Sequence, residues 1–151
     1  ASTACSSGFG CYNQVPGTTV SQGIELSGET ALSDTLTLVG AYTYTDALTE
    51  GERLARVPRH DLFVGLEQQI TDRLSGTATL TYVADVEPSA FAPADNKVGD
   101  YTLVGLGLAY DVNSTSEVYV RVENLLDEDY ETAGGFNTPG RSFFAGLRAS
   151  F

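Results

Sequence analysis

Hydrophobic and polar residues alternate with a period of two along most of the chain. In residues 22–32, Ile24, Leu26, Gly28 and Leu32 share one face, and Gly23, Glu25, Ser27, Glu29 and Ala31 share the other. Residues 36–46 set Leu36, Leu38, Gly40, Tyr42 and Tyr44 against Thr37, Val39, Ala41, Thr43 and Thr45. Residues 74–86 set Leu74, Ala78, Leu80, Tyr82, Ala84 and Val86 against Ser75, Thr77, Thr79, Thr81 and Asp85. In 116–123, Val118, Val120 and Val122 oppose Glu117, Tyr119, Arg121 and Glu123. The last stretch opposes Phe143, Ala145, Leu147, Ala149 and Phe151 to Phe144, Gly146, Arg148 and Ser150. Segments 61–70 and 101–112 alternate less cleanly. Successive side chains of a strand point to opposite faces, so these segments are two-faced strands. No apolar set recurs at three or four residues, so no amphipathic helix is predicted. Residues 12–20, YNQVPGTTV, offer an eighth strand, although Pro16 suits a central strand poorly.

The connections alternate too. Ser33-Asp34-Thr35, Thr71-Asp72-Arg73 and Asn113-Ser114-Thr115 are short and polar, whereas 49–60, 87–100 and 132–140 are longer and carry Gly, Pro and charges. The short turns recur about every 40 residues, the length of one hairpin plus its long loop. The architecture is an antiparallel, up-and-down succession of strands.

A soluble sandwich alternates as well, so strand length decides. These strands run to about 10–12 residues, against a mode near 5–6 in globular domains. About 10 residues at 3.3 Å, tilted by about 45°, rise roughly 24 Å, close to the ~25 Å apolar band of a membrane barrel. The second face is rich in Thr, Ser, Glu, Arg and Gly, which suits a hydrated interior rather than a second packed sheet. Tyr42, Tyr44, Tyr82, Tyr130 and Phe143 fall toward the long loops, and Tyr110 and Phe151 toward the short turns, as two interfacial girdles. The expected fold is therefore an all-β, antiparallel transmembrane β-barrel of about seven or eight strands.

Composition narrows the partners. Eight Lys and Arg against 20 Asp and Glu give a net charge of −12, which argues against nucleic acid. At 42% hydrophobic and 19% charged, the chain is too apolar for a disordered acidic tail. No run of about 18 apolar residues exists to form a transmembrane helix. The opening ASTACSSGFGC has neither the basic nor the apolar stretch of an export signal.

The motifs sharpen this picture. Asn124, Leu125, Asp127 and Tyr130 form an N-L-x-D-x-x-Y element, followed by Pro139-Gly140-Arg141 and a strand ending at Phe151. Arg56, Pro58 and His60 form an R-x-P-x-H element, and Gly23 and Glu25 open a G-x-E-x strand. Three elements in the family's order along the chain resemble the barrel of TonB-dependent outer-membrane receptors, from about residue 20 to the end. The resemblance implies a 22-stranded barrel around an N-terminal plug, of which this chain covers the last seven or eight strands. On that reading residues 1–151 are the C-terminal part of the barrel, with 1–20 an extracellular loop or partial strand. The plug and its TonB box are not in this sequence. The implied partners are outer-membrane lipid, the plug, the TonB complex, a small metal chelate, and the barrel-assembly machinery through the last strand. Gly146 and Phe151 fit that assembly signal, whereas Ala149 stands where an aromatic is often found. Phe151 at the periplasmic side would make the short turns periplasmic and the long loops extracellular.

Cys5 and Cys11 enclose Ser6-Ser7-Gly8-Phe9-Gly10, the spacing of a small loop disulfide on an exported chain. His60 is the sole histidine and no G-x-S-x-G motif accompanies it, so it reads as a rim residue and no catalytic residue is assigned. Asp127, Glu128, Asp129 and Glu131 lack the spaced loop of a calcium site. They read instead as a strand-end turn in which Asn124 and Asp127 cap backbone. Neither a metal nor a cofactor is expected. Glu117, Arg121, Glu123 and Arg148 share one face and are expected to pair across strands or with the plug. Ligand contacts are expected in the long loops, at Arg53, Arg56, Arg59, Phe91, Asn96, Phe136 and Asn137, where arginines could meet an anionic chelate. The resemblance implies active uptake of a scarce chelate at the Gram-negative outer membrane, most often a ferric siderophore. Cobalamin or another nutrient, and a stand-alone passive barrel, remain as alternatives.

Overall fold

The computed structural model describes residues 17–89, 93, 95 and 97–150. Cys5, Cys11, Phe91, Asn96 and Phe151 lie outside the described residues, as does the 12–16 part of the expected eighth strand.

The strands are β1 (Thr19–Ser33), β2 (Leu36–Thr49), β3 (Glu52–Arg53), β4 (Pro58–Thr71), β5 (Leu74–Val86), β6 (Tyr101–Asn113), β7 (Ser116–Glu123) and β8 (Ser142–Ala149). All are antiparallel in one sheet of order β1-β2-β4-β5-β6-β7-β8, with the two-residue β3 hydrogen-bonded to β2. Each of the seven long strands therefore pairs with its sequence neighbours, the up-and-down order predicted from the turns. Thr19 and Val20, expected in a separate strand, are instead the first residues of β1.

The register carries the alternation across the whole sheet. One row runs Leu38–Leu66–Ala78–Leu106–Val122–Phe143 from β2 to β8. The row beside it runs Thr37–Glu67–Thr77–Gly107–Arg121–Phe144. A slip of one residue in any strand would bring its polar set onto the apolar face, so register and pattern are one constraint.

Neither face is covered. Among the described residues only Ala47, Val83 and Ala84 are buried apolar side chains, while Phe143 is 76% and Leu147 68% exposed. A sandwich would have buried the apolar face against a second sheet. Here that face is left for hydrocarbon. A 13-residue strand such as β5, at ~3.3 Å per residue and a ~45° tilt, rises about 30 Å, enough for the apolar band and its borders. Among the described residues β1 and β8 are each paired on one side only. Unpaired N–H and C=O groups are untenable in hydrocarbon, so both edges belong against further strands of a barrel wall.

Two glycines are fixed by close approach. A Cβ on Gly23 would lie 2.1 Å from the Tyr44 carbonyl oxygen of β2. A Cβ on Gly146 would lie 2.4 Å from the ring of Tyr119, which is directly opposite on β7.

The long loops differ from expectation. The third begins at Asn124, not at 132. Asn124 takes φ 50°, a left-handed conformation that a short polar side chain tolerates and that ends β7. The first is shorter than 49–60, because β2 continues to Thr49, β3 occupies 52–53 and β4 already starts at Pro58.

Candidate functional site

The chemistry lies at the long-loop end, on and above the polar face. Three arrangements define it.

The first is an ion-pair strap. Arg53 of β3 donates from Nη1 to Asp85 Oδ1 at 2.7 Å and from Nη2 to the Asp85 carbonyl, with Glu87 Oε2 at 3.6 Å. Arg59 of β4 donates to Asp46 Oδ1 at 2.9 Å and Asp85 Oδ2 at 3.3 Å. Asp85 sits at φ 58°, and its N–H donates to Asp100 Oδ1 at 2.7 Å. The strap joins β2, β3, β4, β5 and the start of the next loop. Arg53 and Arg59 were expected in a loop facing ligand. They lie in strands, and their guanidinium Nη donors are directed at carboxylates. Local sequence shows arginines in a polar stretch; it cannot show that Asp46 and Asp85 converge on them from other strands.

The second is a clasp across the last loop. Asn124, 7% exposed, accepts the Glu128 N–H at Oδ1 and donates from Nδ2 to the Glu128 carbonyl, both at 2.8 Å. Its Nδ2 also reaches the Pro139 carbonyl at 3.4 Å. Asp127 Oδ1 accepts the Arg141 N–H at 2.8 Å, and Oδ2 lies 3.3 Å from the Arg141 guanidinium. The Arg141 N–H, reinforced by its guanidinium charge, holds the Asp127 carboxyl below the usual carboxylate range. The N-L-x-D-x-x-Y and P-G-R elements are thus two halves of one clasp, and Gly140 leaves room for it, since a Cβ there would come within 3.0 Å of Asp127 Oδ1. Leu125 continues the clasp into the wall, with its N–H donating to the Val104 carbonyl of β6 at 2.8 Å. Tyr130 packs at a tilt against Tyr101 with ring centroids 4.5 Å apart, and its carbonyl accepts from the Thr138 hydroxyl at 2.6 Å.

The third is a concavity of about 360 Å3 beneath the clasp. Thr79, Thr81, Glu123, Tyr130 and Ser142 are among its lining residues. It opens on the polar face. A larger depression, about 620 Å3, lies on the apolar face where Gly76 and Ala78 sit low between Leu66, Leu106 and Phe143; that face meets lipid.

The remaining sequence candidates are dispersed. His60 lies in the apolar-side girdle, where its Nδ1 is 2.8 Å from the Tyr42 hydroxyl and its ring packs 5.4 Å from Tyr44. No nucleophile pairs with it among the described contacts. Arg56 at φ 64° is exposed, and its N–H donates to the Glu87 carbonyl at 2.9 Å. Phe136 is 71% exposed and Asn137 is exposed beside it. Glu25 lies opposite Thr43 on the polar face. Of the lumen-side charges, Arg148 pairs across strands with Glu117 at 2.6 Å. Arg121 instead pairs along its own strand with Glu123 at 3.4 Å and lies 4.5 Å from the Phe144 ring centroid. Among the described residues no cluster of three or more His, Cys, Asp or Glu has metal-site geometry. Within the acidic run Glu131 is not a solvated turn residue but is buried, at 6% exposure.

Comparison with known proteins supplies the family. The family model for the TonB dependent receptor-like β-barrel matches residues 1–125. The chain is 35% identical over 131 residues to the ferrichrome outer membrane transporter/phage receptor of Escherichia coli K12, covering 79% of this chain and 17% of that protein. It is 28% identical over 137 residues to the iron-regulated outer membrane virulence protein of Vibrio cholerae O395, covering 85% of this chain and 21% of that protein. The chain thus spans about a fifth of the length of these curated relatives. Its fold superposes on the ferric-catecholate import receptor Fiu of E. coli K12 with a TM-score of 0.74 at 23% identity, covering 89% of this chain and 21% of that one. The uncovered apolar face, the up-and-down register and the family match agree: this chain belongs to the TonB-dependent receptor β-barrel family and is a segment of an outer-membrane barrel wall.

Proposed function

We propose that this segment belongs to a receptor that takes up a ferric siderophore across the outer membrane, using a plug inside the barrel and the TonB complex for energy. In that receptor residues 1–151 are the C-terminal part of the barrel wall. The observation that carries the proposal is the two-faced sheet with its long loops gathered at one end, which suits a wall with lipid outside, a polar lumen inside and recognition above. The E. coli relative is named as a ferrichrome transporter and the V. cholerae one as iron-regulated, which supports the substrate class. Arg56, Phe136 and Asn137 are exposed loop residues suited to contact the chelate; Phe91 and Asn96, outside the described residues, are candidates from the sequence alone. Arg53 and Arg59 shape the rim through the strap. The role is transport rather than catalysis, consistent with a family of receptors and with a His60 bonded to a tyrosine. Gly146 and the last strand are suited to recognition by the barrel-assembly machinery.

The test uses the full-length gene in its own host under iron limitation. Deletion should abolish accumulation of radiolabelled iron presented as ferrichrome or as a ferric catecholate, and deletion of TonB should do the same. Normal iron accumulation combined with lost cyanocobalamin uptake would move the assignment to cobalamin.

A further inference from the structure

The long loop 87–100, between β5 and β6, and the long loop 124–141, between β7 and β8, are not neighbours in sequence, yet one carboxylate holds both. Glu131 Oε2 accepts the N–H of Lys97 in the first loop at 3.2 Å and the N–H of Gly135 in its own loop at 2.9 Å. The Glu131 N–H returns to the Lys97 carbonyl at 3.2 Å, and Val98 and Glu131 form a parallel bridge. Around this centre Lys97 pairs with Asp129, and Tyr101 packs at a tilt against Tyr130. Asp129 raises the Lys97 ammonium above its ordinary value by hydrogen bond and charge. Gly135 takes φ 82°, which aims its N–H back at Glu131, and its open α-carbon faces Pro93 of the other loop with 3.4 Å between a Cβ position and Pro93 Cγ.

A carboxylate 6% exposed is retained in a loop only where its hydrogen bonds replace lost water. Here the donors come from two loops, Lys97 in one and Gly135 in the other. We propose that Glu131 is a positioning residue that ties the 97–100 end of the β5–β6 loop to loop 124–141, so that the two move as one recognition unit. The Lys97–Asp129 pair is peripheral: both partners are substantially exposed, at 48% and 74%, and such pairs contribute little. The central bonds run from main-chain N–H groups to the buried Glu131 carboxylate, and a second bond returns from the Glu131 N–H to Lys97. This inference rests on the receptor reading only for the word recognition; the coupling of the loops stands apart from it.

The experiment is hydrogen–deuterium exchange on the full-length, ligand-free receptor in detergent, comparing wild type with Glu131→Ala, Glu131→Gln and Lys97→Ala. Glu131→Ala should speed exchange in peptides covering 97–100 as well as 131–136 by about tenfold or more, the scale of losing hydrogen bonds to a charged acceptor. Glu131→Gln keeps an accepting oxygen and should give a smaller rise in the same two peptides. Lys97→Ala keeps its main-chain N–H and should change exchange by less than about threefold. Where Glu131→Ala fails to give a heat-modifiable, folded barrel, Glu131→Gln alone decides. Unchanged exchange at 97–100 in a folded Glu131 variant overturns the proposal, as does a Lys97→Ala effect equal to that of the Glu131 variants. None of these readouts needs iron uptake, so a failure of coupling is distinguishable from a failure of the siderophore reading.

Discussion

Asn124 and Glu128 close a reciprocal pair, in which the Asn124 carboxamide accepts the Glu128 N–H and donates to the Glu128 carbonyl, both at 2.8 Å. The pair does for a loop what a ladder rung does for a strand. It turns the chain sharply after β7 and presents Asp127 to Arg141, so the end of one strand is tied to the start of the next across the 124–141 loop.

Replacing Asn124 with Ala should therefore cost about 2 kcal/mol, since two good hydrogen bonds go and their partners in a half-buried turn lose them. Asn124→Asp keeps the acceptor but turns a carboxylate oxygen toward the Glu128 and Pro139 carbonyls, and should cost at least as much. Urea or guanidinium unfolding of the full-length barrel in detergent, followed by heat-modifiable migration, gives both values. Equal stability of Asn124→Ala and wild type would show that the clasp is incidental.

Gly146 and Tyr119 predict a steric effect. Gly146→Ala places a methyl carbon 2.4 Å from the Tyr119 ring as it now lies, so the ring must move or β8 must shift. Overpacking of this kind costs about 1–3 kcal/mol. Tyr119→Ala should cost less in the Gly146→Ala background than alone, because the clash is gone. A double-mutant cycle on barrel stability measures this coupling; strict additivity would contradict it.

The two faces predict opposite tolerance of charge. Leu106 lies mid-strand on the apolar face, and its neighbour Gly107 lies on the polar one. Leu106→Arg should destabilise the barrel by about 2–4 kcal/mol, the usual cost of a cation at the bilayer midplane. Thr77→Arg, opposite Gly107, should cost well under half as much, because it enters the lumen. Reconstitution into phospholipid bilayers and denaturant titration would compare the two. Equal penalties would mean that the lipid face has been misread.

Asp127 predicts a pH dependence. Its carboxyl is held below the ordinary aspartate value by the Arg141 N–H and guanidinium. A carboxyl with a depressed folded value contributes fully above its unfolded value, about 3.9, and loses that contribution as the pH falls through the folded value. The Arg141 amide resonance, followed with arginine-selective isotope labelling, should stay flat from pH 7 to about pH 5 and move only below about pH 4. Asp127→Asn should remove the low-pH movement. A midpoint above the ordinary aspartate value would contradict the assigned contact.

The strands, their faces and their order were legible because a barrel wall repeats one local rule. Leu38, Leu66, Ala78, Leu106, Val122 and Phe143 each stand in an alternating segment, and short polar turns join alternate pairs of strands. Motif resemblance was legible too, because Asn124, Asp127, Pro139 and Arg141 keep fixed spacings. What the motif does was not: the Asp127–Arg141 and Asn124–Pro139 contacts join residues 14 and 15 apart through a left-handed turn at Asn124.

Sequence alone determined that one side of this sheet is apolar and the other polar, since side-chain direction in a strand is a matter of parity. Tertiary structure decided the ion pairs and the loop contacts. Arg53 and Arg59 became a strap, and Glu131 a buried anchor, only because strands distant in sequence bring Asp46, Asp85 and Lys97 within hydrogen-bonding reach. Such convergence depends on strand twist and loop path, which no local periodicity encodes.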